Sequence, residues 1–306
     1  MSRTKKLLFI LISLIIALVS YIFYVRFDLI ENKIYEIIFK IRENSLAIPD
    51  DNEYKLEYEF FSLKQASNFK PKNKNDIMNI YYTVLNNGWK EFTFFCDPDY
   101  DSCIQDVKLI ADDTEFISLI NNYVHPYNSF KKYNTYIYGE KEIHLNVDKL
   151  YTDEEIAETE NIIDSIFQEL NISEENPNLD NIKSIHDYLI KTITYDSDYT
   201  GENVENKSNK AIGAFTNKIA LCSGYTDSFA IMINRLKIPN FKVSTDNHIW
   251  NAIKYDNVWS HIDVTWDDDE VNESNNYNFF MINTNRLLEL DVEEHKFNTD
   301  LYKELK

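Results

Sequence analysis

The sequence predicts an α+β fold, and three observations predict it. Cys222 opens a stretch with apolar residues at helical spacing (Phe229, Ile231, Met232, Ile233, Leu236), which Pro239 ends. Residues 241–243, 248–255 and 258–265 read as successive antiparallel strands. The last two are separated only by Asp256-Asn257, a pair suited to a two-residue hairpin loop. Cysteine on a helix, then histidine and aspartate on strands, is the chain order of a nucleophile, a base and an orienting group.

The 306 residues leave room for a membrane segment and one large or two small domains, and 14% aromatic residues are enough for a substantial core. A formal charge of −20 argues against nucleic acid as a partner, because phosphate binding needs basic clusters and Lys and Arg gather only at the extreme N-terminus. A well-solvated surface accounts for the acidity, the alternative being an acidic groove for cationic substrates. Residues 7–25 form an uncharged apolar run preceded by Arg3, Lys5 and Lys6 and followed by Arg26. At 1.5 Å per residue this reaches about 28 Å, enough to span a bilayer core. The basic flank predicts a cytoplasmic tip and an exported remainder: a single-pass protein of the cell membrane with its larger part outside. A cleaved signal peptide is the rival, but residues 17–20 offer no small-x-small cleavage site.

Cysteine usage agrees with export. Cys96 and Cys103 bracket a turn-rich loop able to close on itself as a disulfide, which leaves Cys222 as the odd thiol. Three reduced cysteines are the alternative.

In chain order, residues 1–26 are read as cytoplasmic tip and transmembrane helix, and 27–50 as a stalk helix and linker. Residues 51–151 are read as an α+β module without a catalytic signature, and 152–306 as the catalytic domain. Within the module, 54–60 alternates like a strand, 75–85 and 115–123 look helical, and 91–95 is a short strand. Residues 133–147 read as a hairpin turning at Gly139-Glu140. His125, before Pro126-Tyr127, is read as a satisfied loop histidine rather than one facing a site. Two helices follow, 153–170 and 179–191, the second with capping residues at 178–181; a polar loop then runs to Asn209.

Cys222 sits where free amide N–H groups and the positive helix end favour a thiolate. Taken alone, such a cysteine is as readily a small packing hydrophobe. The hairpin changes the weighing. With Tyr255 facing Val258, Trp250 falls opposite Asp263, His248 opposite Thr265 and His261 opposite Ala252. His248 and Asp263 become diagonal neighbours on one face, roughly 7–8 Å apart at the backbone. His248 is then the proton carrier for Cys222, and Asp263 holds its ring. His261, on the same face, is a rival for either role, but is read as a polar residue beside the site. Gly224 is read as allowing a sharp turn and a close substrate approach. Asp267, Asp268 and Asp269 are read as a solvated turn rather than a cation site, and no metal is expected.

These residues resemble the transglutaminase-like superfamily, in particular its bacterial members: Gly213-Ala214, Cys222-Ser223-Gly224-Tyr225, His248-Ile249-Trp250-Asn251 and Trp259-x-x-x-Asp263-x-Thr265-Trp266-Asp267. The resemblance covers roughly 182–269, with a weaker part at 277–280, and is specific as a combination. It implies a papain-like core, a nucleophile at a helix N-terminus packed on an antiparallel sheet, and catalytic roles for Cys222, His248 and Asp263. It also implies an oxyanion donor in the Cys222 backbone N–H, with Trp250 and His261 on the substrate side. The animal enzymes' upstream Trp has no counterpart in 208–215, so the second donor is unassigned; their calcium segments are not seen either, and no cofactor is expected. The function implied is acyl transfer through a thioester, ending in a crosslink to an amine or in hydrolysis, on surface or cell-wall proteins or peptides. A non-catalytic surface binding module of the same fold is the alternative.

Overall fold

The computed structural model describes residues 3–44, 46–139, 141–200, 207–268, 277–290 and 292–306; Glu140 and Asp269 lie outside these. The chain divides into two compact units, Met1–Ile48 and Pro49–Lys306. The first is essentially one helix, α1 (Arg3–Asn44), in which the expected membrane run and stalk are continuous. Its apolar side chains from Leu8 to Tyr24 stand exposed. Among the described residues no helix is long and apolar enough to cross a membrane, so the expected transmembrane span is not recovered.

The second unit begins with α2 (Lys74–Asn86), β1 (Glu91–Phe95), α3 (Cys103–Ala111), α4 (Thr114–Asn122), β2 (Phe130–Tyr138) and β3 (Glu142–Lys149). The strands form an antiparallel sheet in the order β1-β3-β2. Asn73 and Asp113 start α2 and α4 by accepting the backbone N–H of Asp76 and Phe116. Cys96 and Cys103 are joined as a disulfide ahead of α3. Two readings need correction. α3 had not been expected, and 54–60 forms no strand. Its Leu56 N–H and C=O bond to the side-chain amide of Asn86 (3.2 and 2.8 Å), which takes the place of a neighbouring strand.

Next come α5 (Asp153–Glu169), α6 (Leu179–Thr192), β4 (Thr194–Tyr195), α7 (Ala211–Thr216), β5 (Ile219–Ala220) and α8 (Cys222–Arg235). A capping box at Thr152 and Glu155 starts α5, and Asn178 caps α6. β4 pairs in parallel with β5, setting Tyr195 beside Ala220, two residues before Cys222. The chain continues through β6 (Asn240–Ser244), β7 (Ile249–Tyr255), β8 (Val258–Ile262), α9 (Val264–Asp267), β9 (Phe280–Ile282) and α10 (Thr284–Glu289), giving an antiparallel sheet in the order β6-β7-β8-β9.

The core forms where α8 crosses this sheet. Phe229, Ile231, Met232 and Ile233 of α8 are buried with Ile185 and Leu189 of α6 and with Ile253 and Ile262 of the sheet. α8 is thus apolar on most sides, which fixes where its N-terminus emerges. β6 also reaches the first sheet's region: Lys242 bonds to Asp227 of α8 (3.0 Å) and to Ser129 (3.2 Å).

Candidate active site

The hairpin has the expected register, with Tyr255 facing Val258 and His261 facing Ala252. Asp256 and Asn257 both have positive φ (49° and 62°), as a two-residue turn of matching twist requires. The strand ends earlier than expected, at Ile262. Asp263 leaves the ladder to cap α9, its Oδ1 accepting the backbone N–H of Thr265 and Trp266 (3.0 and 3.1 Å). The expected His248–Thr265 pairing is therefore absent, and Asp263 Oδ2 is turned toward His248.

Cys222, His248 and Asp263 come together. His248 Nε2 donates to Asp263 Oδ2 at 2.5 Å, and the charge of Cys222 acts on the same imidazole. Two bonds hold the spacing between nucleophile helix and histidine strand: Thr226 Oγ1 to the Ile249 carbonyl (2.9 Å), and Asn251 Nδ2 to the Thr226 carbonyl (3.1 Å). Cys222 is half-buried and unbridged. It opens a 14-residue helix at which Leu221 supplies no side-chain cap, so first-turn N–H groups face the site. Gly224 has helical backbone; what it permits is the approach of α8 to the 208 segment, since a Cβ there would lie 2.3 Å from the Ser208 carbonyl oxygen.

Burial opposes a charge on His248, but Asp263 and then Cys222 outweigh it and raise the imidazole from 6.5 to about 10. Burial likewise pushes the Asp263 carboxyl upward, and the imidazoles of His248 and His295 reverse this, leaving it at about 2.

Trp250 and His261, expected on the substrate side, are only 1% and 0% exposed. They form a support behind His248. The Trp250 ring stacks on His248 (5.6 Å between centroids), its Nε1–H donates to His261 Nδ1 (3.0 Å), and His261 Nε2 bonds to Thr284 Oγ1 (3.1 Å). Burial and then His295 lower His261 to about 3, so it stays neutral and is no rival base. Trp266, whose ring lies 6.4 Å from that of His248, is 39% exposed.

Two further residues belong to the site. His295 Nε2 donates to Asp263 Oδ2 at 2.7 Å; nothing local in the sequence singles it out. Tyr195 is half-exposed, and its phenol is raised by burial and then by the charge of Cys222. Its only sequence signal is the strand-like Ile193-Thr194-Tyr195. His248, Asp263 and His295 also offer three metal-ligand atoms within 4.8 Å of one another. Their 2.5 and 2.7 Å contacts have the lengths of charge-assisted hydrogen bonds.

The expected solvated turn after Asp263 is also corrected. Asp267 is fully buried, accepting from His186 Nε2 (3.1 Å) and the Phe279 N–H (2.9 Å), and Asp268 accepts from the Tyr225 hydroxyl. His125 is buried, and its Nδ1 accepts from the Tyr127 N–H (3.2 Å), a satisfied loop histidine as expected.

The family model of the transglutaminase-like superfamily matches residues 166–264, a span holding Cys222, His248 and Asp263. This segment is similar to a transglutaminase-like domain. Among solved structures, a TGase is 16% identical over 45% of this chain and 44% of its own, with a TM-score of 0.33. A candidate cysteine protease from Cytophaga hutchinsonii is 12% identical over 44% of this chain and 61% of its own, with a TM-score of 0.28. The aligned part thus spans less than two thirds of either chain. No curated protein matches the sequence. His295 and the first 165 residues lie outside the transglutaminase-like segment.

Proposed function

We propose that this chain is a cysteine-dependent acyl-transfer enzyme acting on protein or peptide amides. The observation that carries the reading is the hydrogen-bonded His248–Asp263 pair, on whose imidazole Cys222, at the N-terminus of α8, acts. The Cys222 thiolate attacks the amide carbonyl carbon; a C–S bond forms and the carbonyl π pair moves onto oxygen. That oxyanion meets the Cys222 backbone N–H; Tyr195, which the β4–β5 pairing sets beside Ala220, is proposed as the second donor. Collapse breaks the C–N bond, and the His248 proton goes to the departing nitrogen, leaving a thioester. Neutral His248 then takes a proton from the incoming amine or water, whose attack releases Cys222. Amine attack gives a crosslink and water gives hydrolysis.

The proposal extends to a membrane-attached enzyme working outside the cell on surface or cell-wall proteins. Support for this part is the uncharged run 7–25 with its basic flank and the exposed apolar side chains of α1. Recovery of the full chain in the cytosolic fraction would overturn the location and leave the chemistry standing.

The chemistry is tested by iodoacetamide labelling of Cys222 as a function of pH, read by intact mass, with His248→Ala as control. Rapid single labelling well below the ~8.5 of a free thiol, slowed in the variant, is the expected result. A Cys222 that reacts only at alkaline pH would turn the reading toward a surface binding module of the same fold.

A further inference from the structure

His295 ends the short 3₁₀ turn Glu293–His295, 32 residues beyond Asp263. Its ring is 1% exposed and lies among Trp250, Trp266 and Phe279, with centroids 5.0, 5.3 and 4.8 Å away. Nε2 donates to Asp263 Oδ2, while Nδ1 is buried with no hydrogen-bond partner among the described residues. A phenyl ring would fill this space without burying an unpaired nitrogen. What the imidazole adds is the N–H aimed at Asp263.

That bond falls on the oxygen His248 uses. Asp263 then accepts four donors, Thr265 N and Trp266 N on Oδ1 and the two imidazoles on Oδ2. Each N–H draws density from the carboxylate, so one imidazole's bond weakens the hold on the other. The turn bearing His295 is fastened to the turn bearing His248. Thr245 Oγ1 donates to the Glu294 carbonyl (3.0 Å), and the Thr245 N–H donates to the His248 carbonyl (2.9 Å). Phe297 then packs on Trp250 and His261.

We propose that His295 is a positioning residue of the acyl-transfer site: by sharing Asp263 Oδ2 it moderates the basicity of His248, so that the imidazolium remains acidic enough to protonate a leaving amine. This rests on the acyl-transfer reading. Without the His295 N–H, Asp263 acts on His248 alone; the imidazolium is held more tightly and is a poorer acid.

The experiment is the pH profile of Cys222 alkylation by iodoacetamide in the full chain, for wild type, His295→Phe and His295→Gln. The alkaline inflection, where the imidazolium loses its proton, should move up by half a unit or more in His295→Phe, about threefold in proton affinity. It should return toward wild type in His295→Gln, which keeps an N–H donor. Superimposed wild-type and Phe profiles, or equal shifts in both variants, overturn the proposal. Should His295→Phe fail to fold, the histidine ¹⁵N spectrum of the wild-type protein decides: two imidazole N–H protons bonded to carboxylate are expected from this site, both displaced in Asp263→Asn, and a single such proton overturns it. A wild type with no low-pH thiolate defeats the acyl-transfer reading itself, whereas a reactive wild type with unmoved variants defeats only the role of His295.

Discussion

His248 Nε2 lies 2.5 Å from Asp263 Oδ2, and both side chains are almost wholly buried. The pair makes stability depend on pH at both ends. Asp263, at about 2 against an ordinary 3.8, contributes stability above pH 3.8 that is lost as pH falls through 2. His248, at about 10 against 6.5, contributes below pH 6.5 and loses that contribution as pH rises through 10. Thermal unfolding of wild type and Asp263→Asn should therefore differ most between pH 3.8 and 6.5, with the gap closing on either side. A gap independent of pH would count against the ion pair.

Tyr195→Phe removes the hydroxyl assigned to the oxyanion while keeping the ring that pairs beside β5. Loss of one oxyanion donor elsewhere costs about 10²-fold or more in turnover. Acylation of Cys222 by an activated ester should slow on that scale, with iodoacetamide labelling nearly unchanged because alkylation forms no oxyanion. Equal effects on the two reactions would remove Tyr195 from the site.

His186 is fully buried between two carboxylates, Asp187 Oδ1 on Nδ1 (3.2 Å) and Asp267 Oδ2 on Nε2 (3.1 Å). Burial disfavours its charge, and the two carboxylates overcome this and raise its pKa. Its stabilising charge is thus fully present below pH 6.5 and fades as pH rises through the raised value. His186→Leu takes from Asp267 its imidazole partner, leaving the Phe279 N–H, and should destabilise by about 3–5 kcal/mol in denaturant titration at pH 6. The penalty should be smaller at pH 9.

Lys242 and Asp227 are buried 3.0 Å apart, and Asp227 also accepts the Tyr151 hydroxyl (2.8 Å). Lys242→Met should cost about 3–5 kcal/mol, since it leaves the Asp227 carboxylate without its cation. Adding Asp227→Asn should recover part of that loss. A double variant no more stable than the single one would argue that packing, not charge, dominates.

How far the sequence could be read depended on whether the cause was local. The β7–β8 register followed from Asp256-Asn257, because a two-residue turn leaves no freedom in pairing. The end of β8 was not readable from alternation, since Asp263 exchanges a ladder position for the cap of α9. Residues 54–60 alternate as a strand does, yet their partner is the Asn86 amide, 30 positions away. Burial of His261 and Trp250 depends on Thr284 and Phe297 closing over them, which no spacing between the two residues encodes. His295 reaches Asp263 only through the fold of the whole second unit.

Asp263 has no idle oxygen: one holds the start of α9 and the other holds two imidazoles. Any replacement there disturbs backbone and proton chemistry together, so an inactive Asp263 variant would be an ambiguous negative control. Cys222 is the opposite case, because exchanging sulfur for oxygen alters one atom at the mouth of the site. Cys222→Ser is accordingly the form in which to capture a substrate protein intact, an inert bait with the shape of the working enzyme.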